Sequence, residues 1–146
     1  MGSETAYKAF HRIRHGQMVL SQVKGWEGAV AVAEEALDGY FVSPEYRTFS
    51  CVPGKCIPEY LSAIVRTPFF HRMLVDATKG QGARRERTRP EMLLPMQVRM
   101  PTISNQERAI RILKRAGKVL HIQQHSAAEL DALLPSILDK AFKGEL

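Results

Sequence analysis

The sequence predicts an α+β protein: a small, mostly antiparallel sheet with short helices, followed by one long, coiled-coil-like C-terminal helix. Three observations predict it. Short β-type runs separated by turn residues fill residues 16–51. Two apolar stripes at helical spacing follow, each opened by a proline. A heptad-like apolar seam then runs through the last third. The expected division is residues 1–100 as the sheet-containing domain and residues 101–146 as the helix.

Residues 1–16 are basic and weakly patterned, with Tyr7, Phe10 and Ile13 at helix-like spacing. Met18-Val19-Leu20, Gly28 to Val32, Tyr40-Phe41-Val42 and Tyr46 to Cys51 read as strands. Gly16, Lys24-Gly25, Asp38-Gly39 and Ser43-Pro44 punctuate them. Strands this close together favour antiparallel pairing over βαβ units, which need a helix between neighbours. Pro58 suits a first helical turn, and Tyr60, Leu61, Ile64 and Val65 form one apolar stripe behind it. Thr67-Pro68 reads as an N-cap and first-turn proline of a second helix carrying Phe69 and Met73. Met92 to Met100 alternates Met96, Val98 and Met100 with Gln97 and Arg99, the pattern of a final strand.

Pro101 bars backward extension of the next helix, and Ser104 and Glu107 stand at capping-box spacing. From there Leu113, Leu120, Ala127, Leu134 and Ala141 recur every seven residues. Ile110, Gly117 and Gln124 fill the alternate spacing, and Leu130 and Ile137 resume it after a drift of one position. Such a narrow seam is what two long helices bury against each other. Ile110, Leu113, Leu120, Ala127, Leu130, Leu134 and Ile137 are its candidate partner-facing residues. Pro135 is expected to end the helix near Leu134 and to open a short second one. The polar faces run from basic (Arg108, Arg111, Lys114, Arg115, Lys118) to acidic (Glu129, Asp131, Asp139), the reverse of what the macrodipole prefers.

At 146 residues, 45% hydrophobic and 25% charged, the composition is that of a soluble globular domain. There is no apolar run of bilayer-spanning length and no signal-peptide pattern near the start, so no membrane partner and a cytoplasmic location are expected. Cys51 and Cys56 are expected to stay reduced. Neither they nor His121 and His125 are matched by enough further ligands for a metal site. Pairing a cysteine with His71 as nucleophile and base leaves no orienting third group, and Glu34, Glu35 and Asp38 read as a solvated turn. No catalytic set emerges. The net charge of +6 instead favours a polyanionic partner, with nucleic acid first. It concentrates in the Gly-containing run from Lys79 to Pro90. Candidate DNA contacts are Lys79, Gln81, Arg84, Arg85, Arg87 and Arg89, joined by Lys24 and Trp26 from the Lys-Gly-Trp turn.

Taken in order, these segments resemble the specificity subunit of bacterial type I restriction-modification systems. The resemblance rests on GQMVLSQVKGWEGAVAV at 16–32, FVSPEYRTF at 41–49, IPEYLSAIVRTPFF at 57–70 and the KGQGARRER loop. It also rests on the PTISNQERAI junction at 101–110 and LLPSILDKAFKGEL at 133–146. It implies a non-catalytic subunit whose target recognition domain reads double-stranded DNA and whose helix is a spacer. Methyltransferase subunits would dock on it, and a restriction subunit would join for cleavage. S-adenosylmethionine, magnesium and ATP would belong to those partners, leaving no cofactor here. Two departures stand out: Gln17 where the family usually has Asp, and Asn105 before the Gln. One recognition domain and one helix are expected, where a full subunit has two of each. The opening strands before the Gly16 region are expected to be missing. A homodimer, or pairing with another half-subunit, would cover the seam. The alternative is a truncated form serving mainly as an interaction module without reading DNA by itself.

Overall fold

A computed structural model of the chain describes residues 9–78 and 87–145. The sheet is organised on β2 (Met18–Ser21), which pairs antiparallel with β3 (Val30–Val32) on one side and β5 (Tyr46–Phe49) on the other. Met18 stands opposite Val32 and Phe49, and Leu20 opposite Val30 and Arg47. Along β2, Met18 and Leu20 are buried and Val19 only partly so, which is the two-residue alternation a sheet imposes. A second, two-stranded ladder joins β1 (His11–Arg12) to β4 (Phe41–Val42), with the Arg12 guanidinium 5.9 Å from the Phe41 ring centre. The helix-like spacing of Phe10 and Ile13 is therefore overridden. Ile13 buries directly after β1, and its amide donates to the Tyr40 carbonyl. Tyr7 lies outside the described residues.

α1 (Pro58–Ile64) and α2 (Pro68–Asp76) each begin with proline in the first turn. The Thr67 hydroxyl donates to the Ile64 carbonyl at 2.7 Å and accepts from the Phe70 amide at 3.2 Å. One side chain thus closes α1 and caps α2. Met18 and Leu20 from the sheet, Val65, Phe70, Leu74 and Ala77 from the helical segment, and Leu93 make the core.

Leu93 arrives on a short helix, α3 (Pro90–Leu93), and no strand forms over residues 92–100. The alternation there is nonetheless real, since Met96, Val98 and Met100 are half-buried while Gln97 and Arg99 are exposed. Alternating burial needs only an extended backbone beside a core. A strand also needs a neighbouring edge with free amides and carbonyls.

α4 runs from Ile103 to Lys143, 41 residues, or about 60 Å at the rise of an α-helix. It starts earlier than the capping box implies. The Thr102 carbonyl accepts from the Gln106 amide, so Thr102 takes the cap position and Ser104 sits within the first turn. Pro135 is inside the helix, which neither stops at Leu134 nor restarts. A proline removes one helical hydrogen bond and costs about 3 kcal/mol in an interior position. On this exposed helix water can reach the freed carbonyl, and strong helix formers surround the site. The helix ends at Gly144, whose φ of 69° suits a left-handed cap, and the Glu145 amide reaches back to the Lys140 carbonyl.

The chain divides into two compact units, Met1–Glu107 and Arg108–Leu146. In the first, Gln106 is fully buried. Its Oε1 accepts from the Ile57 amide at 3.0 Å, and its Nε2 donates to the carbonyls of Lys55 and Pro101, both at 2.8 Å. In the second, Leu113, Leu120, Leu130 and Leu134 are between 52% and 64% exposed. Among the described residues no helix is long and apolar enough to cross a membrane.

Candidate nucleic-acid interface

After β2 the chain makes a tight turn built from its own polar groups. The Ser21 hydroxyl accepts from the Lys24 amide, the Gly28 amide donates to the Gly25 carbonyl, and Gly28 has a φ of 89°. Trp26 projects from this turn, 37% exposed, with its indole N–H donating to the Val23 carbonyl at 3.2 Å. Its own carbonyl accepts from His71 Nε2 at 2.8 Å, which ties the turn to α2. His71 thus fastens the Trp26 turn to α2.

Residues 87–89 lie against this turn. The Thr88 amide donates to the Gln22 carbonyl at 2.8 Å, and Thr88 is fully buried. Its hydroxyl is 2.9 Å from that of Thr78, which itself donates to the Leu74 carbonyl at 2.8 Å. Thr78 has one hydroxyl proton and commits it to Leu74, so Thr88 is the donor in the pair. A Cβ on Gly25 would come within 2.4 Å of Thr88 Oγ1 and 3.0 Å of Leu20 Cδ1. Gly25 is thus required for close approach of the two segments, a role that its place in a turn did not reveal.

This packing sets the turn that carries Lys24 and Trp26 beside Thr88, between Arg87 and Arg89 in sequence. Lys24 pairs with Glu27 at 3.0 Å and Arg87 with Glu45 at 3.3 Å. Both pairs are solvent-exposed, so each holds its cation only weakly, and a phosphate can compete for it. Arg89 precedes the first turn of α3. Lys79, Gln81, Arg84 and Arg85 lie outside the described residues. The sequence reading missed Thr78 and Thr88, since a buried threonine pair has no spacing signature.

Elsewhere, the Cys56 thiol is pushed up to about 12 by burial and by the neighbouring Cys51 sulfur. At neutral pH it is protonated and a poor nucleophile. Asp38, from the acidic turn, accepts from the His15 amide at 2.8 Å and stands 3.8 Å from Arg14, which is a structural use of the carboxylate.

No family model matches the chain, and no curated protein matches it in sequence. Solved structures do. The HsdS subunit from Thermoanaerobacter tengcongensis aligns with a TM-score of 0.67 at 19% identity, covering 81% of this chain and 30% of that one. A chain from a structure described by the complex assembly and conformational transition of the type I R-M system aligns with a TM-score of 0.65 at 18% identity. It covers 93% of this chain and 36% of that one. The chain thus spans about a third of the length of the solved chains it matches. With its small antiparallel sheets, short helices and long terminal helix, it has the fold of the specificity subunits of type I restriction-modification systems.

Proposed function

We propose that the chain is a non-catalytic DNA-specificity subunit of a type I restriction-modification system, directing methyltransferase and nuclease subunits to a split DNA target. The observation that carries this reading is one chain holding a compact antiparallel-sheet domain and a 41-residue helix, the arrangement it shares with HsdS. The cation-bearing turn at Lys24 and Trp26 and the Arg87–Arg89 segment, with Lys79, Gln81, Arg84 and Arg85 between α2 and Arg87 in sequence, supply its DNA contacts. The subunit acts in the cytoplasm, and S-adenosylmethionine, magnesium and ATP are bound by its partners. The helix pairs with a second copy or another half-subunit, so a homodimer reads a palindromic split target.

Selection of sites from a random DNA pool, with and without the methyltransferase subunit, tests this. Enrichment of a two-part motif is expected in the complex. The purified chain with DNA, Mg²⁺ and S-adenosylmethionine is expected neither to cut nor to methylate, and turnover by it would refute the non-catalytic assignment. The half-exposed leucines of α4 favour a second reading, an interaction module that contacts DNA without sequence preference. An unenriched pool with intact methyltransferase binding would establish that one.

A further inference from the structure

Between β5 and α1 the chain reads Cys51-Val52-Pro53-Gly54-Lys55-Cys56, and its backbone folds back on itself. The Val52 carbonyl accepts from the Lys55 amide at 3.0 Å and from the Cys56 amide at 3.2 Å. Pro53 fixes the first corner of this turn. Gly54, with a φ of 76°, supplies the left-handed second corner that a type II turn requires. The turn therefore returns Cys56 to the residue next to Cys51, and the Cys51 sulfur lies beside the Cys56 thiol. A disulfide needs Cα atoms roughly 4.4–6.8 Å apart, the spacing of residues that flank a closed turn. Both thiols are free and half-buried, so a small reagent reaches them from solvent.

Cys56 also sits between two backbone groups that hold Gln106. The Lys55 carbonyl before it accepts from Gln106 Nε2 at 2.8 Å, and the Ile57 amide after it donates to Gln106 Oε1 at 3.0 Å. A link from Cys51 to Cys56 closes a ring across the foot of the turn and fixes both groups where Gln106 needs them. We propose that Cys51 and Cys56 form a reversible disulfide site, closed by a low-molecular-weight disulfide, that locks the loop gripping the start of α4. The step balances as thiol–disulfide exchange. The Cys51 thiolate attacks one sulfur of the reagent, RSSR, and expels RS⁻, leaving a mixed disulfide on Cys51. Cys56 then gives up its proton to solvent, and its sulfur attacks the Cys51 sulfur and expels the second RS⁻. The two cysteines lose two protons and two electrons, and RSSR becomes two RSH. Burial sets the order. The Cys56 thiol, pushed up to about 12 by burial and by the neighbouring Cys51 sulfur, keeps its proton while Cys51 reacts first. Excess small-molecule thiol reverses both steps, so the site stays open in a reducing compartment and closes as the pool becomes oxidised.

Incubating the full chain with oxidised glutathione under native conditions tests this, with mass spectrometry as the readout. Trypsin cuts after Lys55 and so separates the two cysteines. A bridge then shows as peptide 48–55 joined to peptide 56–66, and reduction parts them. The bridge is expected to form about tenfold more readily in the folded chain than in urea, since the turn has already closed the loop. Gly54→Ala is expected to lower that advantage severalfold, because the left-handed corner disfavours alanine while the new methyl meets nothing in the fold. Hydrogen exchange of the Ile57 amide is expected to slow on bridging, and to be unmoved by the same treatment of Cys51→Ser. A chain that stops at a glutathione adduct, or links only to another copy, would overturn the site. Equal bridging in urea would overturn the role of the turn. An unchanged Ile57 amide in the bridged chain would overturn the grip on Gln106. No readout involves DNA, so the result stands apart from that of the proposed function.

Discussion

Replacing Gln106 by leucine keeps the side chain's approximate bulk while deleting its three hydrogen bonds, so it isolates what the amide contributes. In the native fold the Ile57 amide and the carbonyls of Lys55 and Pro101 have this one side chain as their partner, and Gln106 itself is fully buried. Leaving a buried polar group unpaired costs about 1–3 kcal/mol. The three orphaned groups are partly buried, so water rescues some of them, and the lower end applies to each. The sum is about 3 kcal/mol. For a domain of this size it corresponds to a fall in Tm of about 10–20 °C. Urea unfolding followed by the fluorescence of Trp26, the single tryptophan, reads the loss directly. Gln106→Glu is the companion variant. Its carboxylate would face two carbonyl oxygens, so its folded-state pKa would be raised above the unfolded value. Its stability is therefore greatest at low pH, where the protonated acid can still donate one bond, and is lost as pH rises through the folded pKa. A Gln106→Leu protein within about 0.5 kcal/mol of the native one would refute the argument that this amide fastens the start of α4 to residues 55–57.

Gly25→Ala should destabilise the first unit by about 1–3 kcal/mol in the same urea experiment, because the new methyl meets Thr88 at 2.4 Å; Thr88→Ser should not relieve it, since Oγ1 is the atom in the way. Lys24→Ala and Arg87→Ala should each weaken DNA binding equally for all sequences and flatten the salt slope by about one unit, as should each of Arg84, Arg85 and Arg89. An unchanged slope in the combined variant would make these cations solvated surface only. Cys56, pushed up to about 12, should alkylate slowly at pH 8 and faster at every step toward pH 10, without the plateau of an ordinary thiol near 9.0. The sign follows from the raised value: stability held below the unfolded thiol's pKa is lost as pH climbs from there toward 12, and a labelling plateau below pH 10 would contradict it.

Local chemistry was enough for much of the architecture. β2 could be read from Met18-Val19-Leu20 because alternation is a property of the strand itself, and α2 from Thr67-Pro68 because a cap and a first-turn proline act within one turn. The long C-terminal helix could be read for the same reason, since a helical period belongs to the element itself. Where the sequence misled, two physical terms competed within one stretch. Met96, Val98 and Met100 alternate in burial, yet no strand edge receives them. Pro135 lacks one amide, yet the surrounding helix formers outweigh that loss.

Only the tertiary structure decided the remainder. Gly25 looked like a turn glycine, and it is a contact glycine because Thr88, far along the chain, packs on it. Thr78 and Thr88 carried no signal, and their hydroxyls meet only because α2 and the segment before α3 converge beside β2. Gln106 stood out only as part of a junction motif. Its role appears once residues 55–57 present two backbone groups at the spacing of a single amide. Periodicity reports which face of an element is apolar, because that depends on bond geometry a few residues long. Which polar groups are stranded by burial, and which distant side chain must reach them, depends on how the elements pack, and no short-range pattern encodes it.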